Sequence, residues 1–143
     1  MTNVVIVSAV RTAIGAFGGG FAKRSAADLG GDVIKEALKR ANVDAADVDE
    51  VIMGQVLSAG LGMGPARQAA MAAGVPAEKT AYAVNQICGS GLRTVANAMM
   101  AIIAGDANIV VAGGMENMSQ SQHAAYMRDG FRMGDGKMVD TMV

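Results

Sequence analysis

Cysteine is almost missing from this chain: Cys88 is the only one among 143 residues. A single thiol excludes an internal disulfide framework and fits a reducing compartment. Charge is also scarce, and the net charge is −1. That balance offers no basic footprint for nucleic acid and no cationic face for an anionic membrane. No apolar run approaches 18 residues and no basic-then-apolar leader opens the chain, so neither a membrane span nor a cleaved signal is expected. Cytoplasm is the default location. No group of Cys, His and carboxylate residues has metal-ligand spacing. The glycines at 15, 18, 19 and 20 fit no dinucleotide fingerprint, and no Gly-Lys-Ser/Thr follows them. They read as a mobile surface loop.

Apolar residues, by contrast, make up 52% of the chain and charged ones only 17%. The length suits about one domain, and the apolar surplus points to a buried subunit or domain interface. The nineteen glycines are nearly twice the usual share of about 7%, in a sequence that is not low-complexity. They are read as serving turns and close backbone approach.

Residues 4–10 form an apolar, β-branched run, the expected first strand, buried between layers. Residues 25–41 are the clearest early helix, with Ser25 and Asp28 resembling a capping box and Leu29, Val33, Ala37, Leu38 and Ala41 on one face. Asn42 ends it. A second strand spans residues 48–56, and a glycine loop follows. Pro65 opens a short alanine-rich helix at its favoured position, closed by Gly74. Arg67 and Gln68 read as solvent-facing helix polars, with a site-lining role as the alternative. A third strand covers residues 80–86. A fourth, residues 107–114, is centred on Ile109, Val110 and Val111. The resulting β-α-β-α-β-α-β order predicts parallel strands with helices on the faces. In such sheets ligands bind at the carboxyl ends of strands. Cys88 lies past one end and Gly113-Gly114-Met115-Glu116-Asn117 past another, so the two ends could meet around one ligand. From Ser119 onward no period is sustained, and the tail reads as an excursion from the sheet domain. Its methionines suit core or interface packing.

The stretch Val84-Asn85-Gln86-Ile87-Cys88-Gly89-Ser90-Gly91-Leu92 carries the most chemistry. Leu92, Val95, Ala96, Met99, Ile102 and Ile103 recur at helical spacing behind it, and Gly105 stops the helix. Cys88 therefore sits where a strand turns sharply into a helix. Gly89, Ser90 and Gly91 keep that turn free of bulk. Free N–H groups and the positive end of the helix dipole favour negative charge on the sulfur and can hold an oxyanion on a thioester carbonyl. A nucleophile on such an elbow suits acyl transfer. A buried structural cysteine is the commoner fate of a lone thiol. His123, the one histidine, allows a Cys-His pair in principle, but a surface histidine is the plainer reading. Asn117-Met118-Ser119 matches a glycosylation acceptor, with nothing else suggesting secretion.

These residues resemble the N-terminal part of a thiolase of the acetoacetyl-CoA (acetyl-CoA acetyltransferase) type. The resemblance covers nearly the whole chain. It is most specific over residues 85–96 and over Val111-Ala112-Gly113-Gly114-Met115-Glu116-Asn117-Met118-Ser119. Lesser matches are Val7-Ser8-Ala9-Val10-Arg11-Thr12, Gly64-Pro65-Ala66-Arg67-Gln68 and residues 137–142. The Cys-Gly-Ser-Gly form at 88–91 resembles the biosynthetic members.

The resemblance implies an α/β fold: the N-terminal βαβαβαβ half of an αβαβα layered sandwich, lacking its last strand and the C-terminal half. Residues 1–118 are then the incomplete N-terminal domain, and 119–143 the start of an inserted loop domain that makes oligomer contacts. The implied mechanism is ping-pong. Cys88 takes an acetyl group from acetyl-CoA as a thioester, with its own backbone N–H in the oxyanion hole. A second acetyl-CoA then attacks, giving acetoacetyl-CoA and CoA. Thiolysis is the reverse.

The family's activating histidine and its second, acid/base cysteine have no counterpart in residues 1–143, so these residues alone are expected to be inactive in condensation. Met133 matches a methionine that reaches toward a neighbouring subunit's CoA. The implied partners are CoA thioesters and either a homo-oligomer, dimer or tetramer, or a complementary C-terminal half. No resident cofactor, metal, nucleic acid or membrane is implied. A ketoacyl-synthase-like condensing enzyme shares the fold and the elbow cysteine. A non-catalytic assembly subunit or remnant is the alternative of another class.

Overall fold

The computed structural model describes residues 3–143. Its centre is a three-stranded parallel sheet of β1 (Glu50–Gly54), β2 (Thr80–Val84) and β3 (Val110–Gly114), in the order β2-β1-β3. Glu50 stands opposite both Thr80 and Val110, and Gly54 opposite both Val84 and Gly114. The carboxyl ends are therefore level. β1 is the central strand, and its Val51, Ile52 and Met53 are fully buried. Residues in a strand alternate faces. Val51 and Met53 join the core made with α1 (Ala26–Ala41) and α2 (Pro65–Ala72), whereas Ile52 lies outside that cluster. The opposite side of the sheet is taken by α3 (Ser90–Ala104), which touches all three strands.

α1 begins as its sequence predicts: Ser25 Oγ accepts from Asp28 N–H at 2.9 Å, and Asn42 closes the helix in the left-handed region. Its buried face differs from the one expected. The buried residues are Ala26, Ala27, Gly30, Gly31, Ile34 and Leu38, while Leu29, Val33, Ala37 and Ala41 are only partly covered. Close packing on α2 selects the small side chains. A Cβ on Gly31 would come within 2.8 Å of Ala72 Cβ, and one on Gly30 within 2.7 Å of Met115 Sδ.

α3 shows the same inversion more strongly. The side it turns to the sheet consists of Ser90, Thr94 and Ala98. The large apolar stripe picked out by periodicity faces outward, with Leu92 at 78% and Ile103 at 57% exposure. With its lead-in, Ile87–Ala104 is long and apolar enough by length and composition to cross a membrane, contrary to the expectation that no segment comes near that length. The helix proper has 15 residues, short of the roughly 20 that a bilayer needs. One side of it is also packed on a sheet. It is a layer helix.

Residues 4–10 do not form the expected buried strand. They pair with no other strand, and Val5, Ile6 and Val7 are largely exposed. A strand requires a neighbour for its N–H and C=O groups, and the described residues place none beside this run. The tail lies outside the parallel sheet. It contains a 3-10 turn at Met118–Gln120 and an antiparallel pair of β4 (His123–Ala125) with β5 (Met138–Asp140). Met115 is in the core, but Met118, Met127, Met133 and Met138 are exposed, so the core reading fails for those four.

Candidate active site at the strand-to-helix elbow

Three residues separate the level end of β2 from the nucleophile candidate, and local hydrogen bonds define their path. Asn85 Oδ1 accepts from Ile87 N–H at 3.1 Å. Gln86 C=O accepts from Gly89 N–H at 3.0 Å, and Ile87 C=O from Ser90 N–H at 3.1 Å. Ser90 Oγ accepts from Gln86 N–H at 2.8 Å and donates to Ile87 C=O at 2.6 Å. This closed knot leaves Cys88 exposed at its tip. Among the described residues, Cys88 N–H donates to no protein acceptor.

The unusual backbone here is not glycine. Gly89 has φ −86°, while Ile87 adopts φ 50°. A β-branched side chain in the left-handed region is rare and costs roughly 1–2 kcal/mol. The glycine that the elbow requires is Gly54, at the end of the neighbouring strand. A Cβ there would lie 2.6 Å from Gly91 N and 2.8 Å from Ser90 Cβ. Gly91 and Gly114 also meet closely, and Thr94 Oγ1 lies 2.7 Å from Gly91 O and 3.0 Å from Gly113 O. The start of α3 thus packs on the ends of β1 and β3, while β2 and β3 stay on opposite sides of β1.

Glu116 and Asn117 fasten loops at this end of the sheet. Glu116 Oε2 accepts from Val56 and Leu57 N–H at 2.9 and 3.1 Å. Asn117 Nδ2 donates to Phe21 O and Arg24 O, and its Oδ1 accepts from Ser119 N–H. With both ends of its amide engaged, the glycosylation reading of Asn117 falls. The glycine loop before α1 is held rather than loose, since Gly18 N–H also donates to Ser119 Oγ.

Arg67 and Gln68 are exposed but tied. Arg67 donates to Ala77 O and Lys79 O, and Gln68 to Leu61 O and Met63 O. His123 lies exposed on β4 and makes no side-chain hydrogen bond among the described residues. Met133, in the loop between β4 and β5, is 96% exposed. A concavity runs along that hairpin, between Ala125, Met127, Lys137 and Val139, and does not include Cys88. Among the described residues no three His, Cys, Asp or Glu side chains gather as a metal site would require.

Sequence reasoning singled out Cys88 but passed over Gly54, Ile87 and Thr94, and it read Ser90 only as small. A glycine ending an otherwise apolar strand was the available signal for Gly54.

The chain is thus an α/β protein with a parallel sheet, an exposed cysteine on the elbow after β2 and a glycine-rich end on β3. The family described as "Thiolase, N-terminal domain" matches residues 4–143, and the chain belongs to the thiolase family. Among similar curated proteins, the acetyl-CoA acetyltransferase of Cupriavidus necator is 62% identical over 144 residues, covering 100% of this chain and 37% of that protein. That of Rhizobium meliloti is 58% identical over 141 residues (99% and 36%). The Escherichia coli K12 protein of the same name is 54% identical over 145 residues (100% and 37%). The chain thus spans little more than a third of the length of these relatives.

Proposed function

We propose that this chain contributes the nucleophilic part of an acetyl-CoA acetyltransferase. In this reading Cys88 thiolate adds to the carbonyl carbon of acetyl-CoA. The carbonyl oxygen takes the negative charge, and its collapse expels CoA thiolate, which takes up the proton lost by the Cys88 thiol. A base then takes an α-proton from a second acetyl-CoA, and the resulting carbanion attacks the acetyl thioester and expels the Cys88 thiolate, giving acetoacetyl-CoA. Thiolysis is the same route reversed.

The observation that carries the reading is the elbow itself. It combines an exposed thiol with a backbone N–H that has no protein acceptor among the described residues, at the carboxyl ends of a parallel sheet in a thiolase-family chain. Removing the α-proton needs a base. In the thiolase resemblance that base is a second cysteine, which has no counterpart among residues 1–143. Met133, exposed on the hairpin, is proposed from the thiolase resemblance as a contact with a neighbouring copy's CoA.

The test is mass spectrometry of the full chain after exposure to acetyl-CoA. The expected result is a 1:1 acetyl adduct on Cys88 that is absent in Cys88→Ala. An adduct that persists in the variant, or none in the wild type, sinks the proposal. Residues 1–143 alone are expected to show no condensation of two acetyl-CoA molecules.

A further inference from the structure

The knot around Cys88 contains one buried side chain that the reaction scheme leaves unused. Ser90 is 5% exposed, and its hydroxyl joins Gln86 N–H to Ile87 C=O. Ile87 C=O thus receives two donors from Ser90, the hydroxyl and the backbone N–H. Both draw that carbonyl toward the first turn of α3. A peptide unit is planar and, when trans, carries its C=O and N–H in opposite directions. The 87–88 peptide is trans. Holding Ile87 C=O inward therefore aims Cys88 N–H outward, into the open space before the elbow, where it has no protein acceptor among the described residues. The orientation is not one that Ile87 adopts freely, because it demands φ 50° of a β-branched residue. Asn85, bonded to Ile87 N–H, holds the other side of the same residue.

We infer that Ser90 is a positioning residue for acyl transfer: its hydroxyl holds Ile87 in the left-handed conformation and so points the Cys88 amide at the oxygen of the acyl group. The inference rests on Cys88 being the acyl nucleophile. Without the hydroxyl, Ile87 relaxes toward the extended region, the 87–88 peptide turns, and the amide leaves the oxyanion. The thiol stays exposed and keeps its intrinsic nucleophilicity.

Two reactions of the same sulfur separate these effects. Acetylation by acetyl-CoA passes through an oxyanion. Alkylation by iodoacetamide displaces iodide at a saturated carbon and forms none. In the full chain, Ser90→Ala is expected to slow single-turnover acetylation of Cys88 by about a hundredfold, the usual loss for one oxyanion donor, while iodoacetamide labelling changes by less than about threefold. Ser90→Thr, which retains the hydroxyl, recovers most of the acetylation rate.

Equal slowing of both reactions in Ser90→Ala would reduce Ser90 to a structural part and overturn the inference, as would wild-type acetylation in that variant. Lack of a Cys88 adduct in the wild type would instead remove the underlying nucleophile reading, and this inference with it. Should Ser90→Ala not fold, the pair Ile87→Gly with Ser90→Ala decides, since glycine takes a left-handed backbone without strain. Near-wild-type acetylation in a folded double variant supports the holding role. A hundredfold loss there, matched by equally slow alkylation, contradicts it.

Discussion

At the scale of single residues, the elbow depends on an atom that is absent. Gly54 lacks a Cβ where the first turn of α3 meets the end of β1, and the two nearest atoms it would strike belong to the Ser90–Gly91 backbone. Backbone cannot swing aside as a flexible side-chain tip can, so even one methyl group must displace the helix start. Gly54→Ala is expected to lower stability by roughly 1–3 kcal/mol, the usual range for overpacking. Acetylation of Cys88 should fall with it, because the displaced turn carries Ser90. Urea unfolding midpoints, read beside the adduct assay, check both. An unchanged midpoint with normal acetylation would mean that the contact is slack. Gly89 and Gly91 are different. A Cβ on either would meet only ordinary or slightly tight neighbours, at 3.3 Å from Gln86 O and 3.8 Å from Gly114 Cα. The sequence shows three small residues at the turn, but it takes the approach of a separate strand to reveal which glycine the fold cannot replace.

At the scale of elements, the opposite edge of the sheet is gathered by Asp49. Its carboxylate accepts from Asn108 and Ile109 N–H at 2.8 and 3.2 Å, and Lys79, at the start of β2, lies 3.7 Å away. The N-terminal ends of all three strands thus converge on one side chain. The two backbone N–H groups, foremost that of Asn108, hold its carboxyl below the ordinary aspartate value of 3.8, with a smaller pull from the Lys79 ammonium and an opposing push from burial. The folded protein therefore binds this proton less readily than the unfolded chain. The resulting stabilisation is complete above the ordinary value and is lost as pH falls through the lower folded value. Asp49→Asn is expected to lower the melting temperature at neutral pH, with the gap from wild type closing as pH falls below about 4. A gap independent of pH would mean that the carboxylate charge contributes nothing. Element-level reading from sequence succeeded where the signal is local, as in the Ser25 cap, Pro65 opening α2 and Gly105 ending α3. It failed where the answer lay in a distant surface. Periodicity finds the large apolar face of α3, yet the sheet takes the Ser90-Thr94-Ala98 face because close packing there demands small side chains. Residues 4–10 have the composition of a strand but no neighbour to pair with, and pairing cannot be read from the run itself.

For the whole molecule, the informative surface is the one that remains uncovered. Leu92, Val95, Met99 and Ile103 form an outward stripe along α3, each at least 40% exposed. Val5, Ile6 and Val7 add further exposed apolar area. Contiguous patches of this kind are uncommon on stable monomers and mark surfaces that another layer covers. Thiolase-family relatives extend to nearly three times this length, which leaves ample chain to supply such a layer. Each large side chain in the stripe gains about 1.5–3 kcal/mol on full burial, so a few of them suffice to drive association when that layer is withheld. Residues 1–143 produced alone are therefore expected to run in light scattering well above the 14.5 kDa of one chain. Met99→Glu with Ile103→Glu should shift them toward the monomer without loss of helical circular dichroism, because neither side chain belongs to the core beneath α3. A wild-type segment that stays monomeric would show that the stripe tolerates water. A double variant that unfolds would show that these side chains hold the domain together, contrary to their placement on its outer face.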